Sequence, residues 1–349
     1  MGTISFLIVL SILVFFHELG HFSVARYFGV KVYTFSIGFG PKLISKYMFG
    51  TTWSLSLIPL GGYVKMKGQE DLDPTKVSND KDSYNVLSPI KRILILLAGP
   101  FANFLLAFVL YFAVGFMDHK ELSATIGNVV INSPAYKAGL QKNDTIIQID
   151  NKKVIKWDDL STIIKQSTHP MKFLIKRHNR FRVLIINAKL TNTQNIFKEQ
   201  IKRKMVGISP SGKIITISYS FFDSIDYAYD KTLQASKMIF QGLTKLLQGV
   251  VPSSEVGGVI SIGKVIADAS QSGILALFIV GALISVNLGV LNLLPIPALD
   301  GGHIMFNLYE LITKRKPSNK VLIQLTIMGW ILLIGLMLLG IYNDINRFF

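Results

Sequence analysis

His17, Glu18 and His21 stand in the order His-Glu-Leu-Gly-His. On a helix, positions i and i+4 project from one face, so the two imidazoles can bind a single zinc ion. The intervening glutamate then lies beside the water that such an ion would activate, in place to act as general base. The competing reading is three polar residues that happen to share a helix face. It has to explain ionisable groups inside an apolar run, where they are costly and mark function by default. A catalytic zinc needs a third protein ligand and an open position. The best-placed candidate is Asp300, in the run Asn-Leu-Leu-Pro-Ile-Pro-Ala-Leu-Asp-Gly-Gly-His at 292–303. Asp300 could equally be the N-cap of a helix beginning at Gly301. His303 could be a fourth ligand, although with three ligands and a water assigned, a supporting or structural place fits better. Asn287 and Asn292 sit in an apolar helix, able either to bond a substrate backbone or to link helices. Cysteine is absent, which excludes a thiol nucleophile, thiolate ligands and a disulfide framework.

The elements that must carry these residues follow from composition. Of 349 residues, 50% are hydrophobic and 17% charged, against about a quarter charged in soluble proteins. Disordered and fibrous classes are excluded and an ordinary soluble enzyme fits poorly. Four apolar stretches approach the roughly 20 residues that cross a bilayer. They predict spans at 1–27, 89–117, 271–299 and 321–342, the first of which crosses only if its helix continues through the His-Glu-Leu-Gly-His motif. The N-terminus has no basic segment and no small-residue cleavage site, so it reads as a span rather than a cleaved signal. His17 lies 13 residues beyond Ile4, about 20 Å along a helix. Pro295 and Pro297 should break the third span just before Asp300, so both sites fall in the same half of the membrane.

Residues 22–92 hold ten Lys/Arg and residues 314–320 hold four. By the positive-inside rule both loops are cytoplasmic, which leaves the N-terminus, the segment 117–270 and the C-terminal tail outside. The net charge of +16 then reads as topology and contact with membrane lipids, not as a nucleic-acid footprint. Within 28–88, runs rich in Val, Thr, Tyr, Phe and Ile with Gly and Pro between them predict short strands and hairpins. The stretch Trp-Ser-Leu-Ser-Leu-Ile-Pro-Leu-Gly-Gly-Tyr-Val-Lys-Met at 53–66 either dips into the membrane or lies on its surface as an amphipathic loop. Residues 120–190 predict a small mixed α/β domain. The segment 191–270 carries an amphipathic helix near 222–251, and 300–320 forms the last loop.

HELGH in a first membrane helix, FSIGFGP, IPLGGYVKM, AGPFANFLLA and NLLPIPALDGGH occur together in this order. The combination resembles the site-2 protease family of intramembrane zinc metalloproteases (peptidase family M50B), most closely its bacterial RseP-type members. The resemblance implies a polytopic α-helical membrane protein: four transmembrane helices, a membrane-associated β-hairpin in the first loop, and an extramembrane α/β PDZ-like domain between spans two and three. It implies that His17, His21 and Asp300 bind one zinc ion per chain and that Glu18 is the catalytic acid/base. The hairpin at Gly61 and Gly62 would pair with an unwound substrate, and Asn287, Asn292, Pro295 and Pro297 match positions near the substrate path. The implied substrates are single-span membrane proteins already trimmed outside, such as an anti-sigma factor or a remnant signal peptide. The implied location is the bacterial inner membrane, and the PDZ-like domain would take peptide C-termini or extended segments. The well-known enteric members carry two PDZ domains where this chain has room for one, which sets aside gating by a PDZ pair. Two rivals are a PDZ-bearing membrane scaffold with an inactive metal site and a metal transporter. The intact motif opposes the first, and four spans without an inverted repeat oppose the second.

Overall fold

A computed structural model describes residues 2–69 and 78–348. The chain starts with helix α1 (Gly2–Tyr27), followed by strands β1 (Val32–Met48) and β2 (Thr51–Met66) and helix α2 (Pro89–Phe116). Next come β3 (His119–Leu122), β4 (Ile126–Val129), α3 (Pro134–Lys137), β5 (Thr145–Ile149), β6 (Lys152–Lys153) and α4 (Trp157–Gln166). Strands β7 (Met171–Arg177), β8 (Arg180–Ile186), β9 (Lys189–Gln194), β10 (Gln200–Met205), β11 (Ile208–Pro210) and β12 (Ile214–Ile217) follow. The chain closes with α5 (Phe221–Leu247), α6 (Val259–Ser272), α7 (Ile274–Asn292), α8 (Asp300–Thr313) and α9 (Asn319–Phe348). Two compact units result, one of residues 1–115 with 221–349 and one of Phe116–Ser220.

In the first unit, α1, α2, α7 and α9 are long and apolar enough to cross a membrane, which makes the chain a multi-pass membrane protein. Helix α1 packs along α6 and β2, and α5 and α6 pack on α7. Helix α2 opens with Pro89 at its first position, where a missing N–H costs nothing. Helix α7 ends at Asn292, ahead of Pro295 and Pro297, whose rings would clash with a continuing helix. At its other end α7 begins at Ile274, close to the expected start of the third span, because Gly273 adopts φ +113° and separates it from the preceding α6.

The first loop is more ordered than short hairpins. Strand β1 bends at Gly38 (φ +87°) and Gly40 (φ +84°), and β2 bends at Gly61 (φ +131°), conformations that glycine reaches without a Cβ penalty. The bends fold two long antiparallel strands into several ladders. Residues 34–37 pair with 62–65 on one side and with 52–55 on the other, while 42–48 pair with 51–56. Phe35 is buried between Phe22 of α1 and Trp53.

The second unit holds a four-stranded sheet in the order β6-β5-β7-β8. Its buried face, with Ile146, Ile149, Phe173 and Ile175, packs on Leu160 and Ile164 of α4. The fully buried Asp144 carboxylate accepts from Arg177 Nε at 2.7 Å and from the Gln141 amide at 2.7 Å. The unit continues past residue 190. Strands β9 and β10 form a ribbon, β11 pairs with β4, and β12 pairs with β3. The later strands therefore close the unit onto its first ones, and it ends at Ser220.

Candidate metal centre and cavity

Helix α1 brings His17 and His21 onto one face, their Nε2 atoms 3.2 Å apart. Asp300 reaches them from the first turn of α8. Its Oδ2 lies 3.4 Å from His17 Nε2 and 3.4 Å from His21 Nε2. The alternative role of Asp300 as an N-cap does not describe it: α8 starts at Asp300 itself, Leu299 is the cap residue, and the carboxylate faces the imidazoles. These three residues are the group that could hold a metal ion among the described residues.

The donor set fits a tetrahedral ion on two counts. Ligand atoms at about 2.05 Å from a tetrahedral centre stand about 3.3 Å apart, close to the three separations here. The second count is proton placement. His21 Nδ1 lies 2.8 Å from the Ile95 carbonyl oxygen, which only accepts, so Nδ1 carries the proton and Nε2 presents a lone pair. That lone pair faces a carboxylate oxygen that is itself buried without a hydrogen-bond partner. Facing acceptors in a low-dielectric site repel unless a cation lies among them.

Helix α2 contributes no ligand yet holds both rings. Besides the Ile95 carbonyl on His21, the Asn103 carboxamide lies 3.1 Å from His17 Nδ1; with Nε2 of His17 binding a metal, Nδ1 carries the proton and donates it to the amide oxygen. Asn103 is fully buried, and its backbone carbonyl accepts from Ser285 of α7 at 2.7 Å. Two glycines allow this approach. A Cβ on Gly20 would stand 2.2 Å from the Ala98 carbonyl oxygen, and a Cβ on Gly99 would stand 2.2 Å from His21 Nε2. Sequence reasoning missed Asn103 and Gly99 as part of the site. The signal available was the run AGPFANF, where three small residues and an amide interrupt an otherwise bulky apolar span.

The group opens onto a cavity of about 690 Å³. Glu18 lines it beside the histidines, as do His303 and, from α9, Trp330. Residues 62–66 of β2 form one wall. Gly62 is pressed against α1, since a Cβ there would lie 2.9 Å from Glu18 Cγ and 2.7 Å from Val14 Cγ1. Asn292 directs its Nδ2 to within 3.4 Å of His17 Nε2. Among the described residues, Gly61, Asn287, Pro295 and Pro297 are not in the cavity lining. Gly61 instead packs under the Phe39 ring, Asn287 is half-buried on α7, and the two prolines lie in the link between α7 and α8. Further along α8, Glu310 pairs with Arg92 of α2 at 2.8 Å.

The model of peptidase family M50 matches residues 5–336. A Campylobacter jejuni protein named "Putative zinc metalloprotease Cj1068" is 45% identical over 340 residues, covering 97% of this chain and 92% of its own length. Metalloprotease MmpA of Caulobacter vibrioides is 33% identical over 382 residues, covering 99% of this chain and 95% of its own.

Proposed function

This chain belongs to peptidase family M50, and on that premise we propose that it is an intramembrane zinc endopeptidase whose catalytic group is Glu18. The observation that carries the reading is one cluster: His17 Nε2, His21 Nε2 and Asp300 Oδ2 within 3.4 Å of one another, in a cavity that Glu18 also lines. His17, His21 and Asp300 would hold one zinc ion. When bound, zinc supplies a Lewis acid for the scissile carbonyl and lowers the pKa of water to about 7. Glu18 takes a proton from the attacking water and passes it to the departing amine nitrogen as the peptide C–N bond breaks. Asn292 is a side-chain donor at the centre, placed to bond the carbonyl oxygen as it gains charge.

A membrane helix hides its carbonyls in its own hydrogen bonds, so the substrate must be extended before it is cut. Residues 62–65 pair with β1 through one edge and line the cavity. An extended substrate segment can add to this strand through main-chain bonds, with Gly62 leaving its backbone closest to Glu18. The substrates would be single-span proteins already trimmed outside the membrane, among them anti-sigma factors and remnant signal peptides in regulated intramembrane proteolysis. The second unit would be a PDZ-like domain on the outer side of the bacterial inner membrane, as the basic loops at 22–92 and 314–320 argue. Its groove of about 100 Å³ between α4 and residues 203–208, lined by Trp157, Leu160, Ile164 and Arg203, suits an extended peptide or a C-terminal carboxylate.

The test is Glu18→Gln in full-length protein with a fluorogenic single-span substrate. Zinc content should stay at one ion per chain while cleavage disappears, because the amide cannot accept the proton. Wild-type cleavage by Glu18→Gln would overturn the reading.

A further inference from the structure

Strand β8 carries three large apolar side chains that the core does not take. Phe181, Val183 and Ile185 are 65%, 61% and 64% exposed. They alternate along the strand and so share one face, while Leu184 and Ile186 turn to the core. The register sets Phe181 opposite Lys176, Val183 opposite Leu174, and Ile185 opposite Lys172. Gln148 and then Lys153 continue the same face across β5 and β6. An apolar strip thus runs beside a row of lysines, with no acidic side chain at any of these positions. Strand β8 is also the outermost strand of its sheet. Outer strands are normally blunted by charge, bulges or a cover, and a bare apolar one marks a contact surface.

The chemistry of the strip indicates what covers it. Lysine stems can lie along apolar surface while their ammonium groups reach phosphate, and a basic rim around apolar side chains is the pattern of surfaces seated at the acyl–headgroup boundary. The second unit carries 18 Lys/Arg against 7 Asp/Glu in residues 116–220. It is tied to apolar helices at both ends, through residues 117–118 after α2 and 218–220 before α5. Lipid headgroups are therefore always within its reach, whereas a protein partner would have to be found. We infer that the β8 face rests on anionic phospholipid, with Phe181, Val183 and Ile185 entering the interface and Lys172 and Lys176 pairing with phosphates. This inference needs only the membrane-embedded helices and stands apart from the proteolytic chemistry.

The chain has no cysteine, so Val183→Cys accepts a single nitroxide label, and Asn192→Cys on β9 serves as the reference site. Each labelled full-length protein is placed in nanodiscs of phosphatidylcholine alone or with phosphatidylglycerol added. Accessibility to an aqueous nickel reagent and to oxygen is then read by electron paramagnetic resonance. The label at 183 should lose nickel accessibility at least about fivefold when phosphatidylglycerol is added, the effect of one lysine–headgroup contact, while the label at 192 stays unchanged. Lys172→Glu with Lys176→Glu should restore access, and Lys172→Ala with Lys176→Ala should restore part of it. Both lysines are exposed, and the melting temperature checks that the variants fold. Equal nickel accessibility at 183 and 192 in both lipids would overturn the inference. So would protection that ignores phosphatidylglycerol, or protection that appears only when membrane proteins are added back.

Discussion

Substituting Gly99 by alanine tests the metal centre without touching a ligand. The added Cβ would stand 2.2 Å from His21 Nε2, 2.5 Å from His21 Cε1 and 2.8 Å from His17 Cε1. Comfortable contact begins near about 3.5 Å, so the His21 ring must retreat by about 1.3 Å or α1 and α2 must separate by a similar distance. The second route is resisted at Gly20, whose own packing against the Ala98 carbonyl holds the two helices together. The first route breaks the 2.8 Å bond from His21 Nδ1 to the Ile95 carbonyl. Metal sites tolerate ligand displacements of about 0.2 Å, and losing only a supporting hydrogen bond already lowers affinity about 10- to 100-fold. Gly99→Ala should therefore weaken zinc binding by at least about 100-fold, or about 2.7 kcal/mol. Overpacking adds about 1–3 kcal/mol of destabilisation. The assay is zinc per chain by mass spectrometry after equilibration against a graded chelator series, with thermal melting in the same detergent. Gly335→Ala is the control, because nothing lies within 4 Å of a Cβ at that position, and it should change neither quantity. A Gly99→Ala protein that keeps one zinc per chain at wild-type affinity would refute the argument.

Other perturbations separate the parts of the site. Gly62→Ala places a methyl 2.9 Å from Glu18 Cγ but contacts no ligand, so kcat should fall about 10- to 100-fold, as a misplaced acid/base would give, at unchanged zinc content. Equal losses of zinc and kcat would show that the wall and the metal site are not separable. Asn103→Ala should lower zinc affinity about 10- to 100-fold by taking the amide-oxygen acceptor from the His17 Nδ1–H; an unchanged chelator titration would remove Asn103 from the support of that ring. Arg92→Ala or Glu310→Ala leaves a largely buried charge without its partner and should destabilise by about 3 kcal/mol. The double variant should cost less than the two together, and additive losses in melting experiments would count against a direct pair.

What could be read from the sequence was what local spacing encodes. His17 and His21 are one helical turn apart, so their convergence follows from the period of a helix, and four apolar runs announce helices by length. Asp300 required a chemical argument, the need for a third ligand in a chain without cysteine. The strands at 189–205 were missed because their Lys, Thr, Asn and Gln residues give little apolar alternation and β9 and β10 pair with each other, while β11 and β12 are short and hold their place by pairing with β4 and β3. The support of the histidines is the clearest case. His21 leans on Ile95 through a backbone carbonyl, which leaves no mark on residue type, and His17 leans on Asn103 from 86 positions away. Both contacts come from α2, an element with no ligand of its own that fixes both imidazoles. If that is its role, metal affinity should respond to small changes in α2 even though no ligand atom is altered there. The spacing between α1 and α2, set by Gly20 and Gly99, is then as much a determinant of the site as the ligands are.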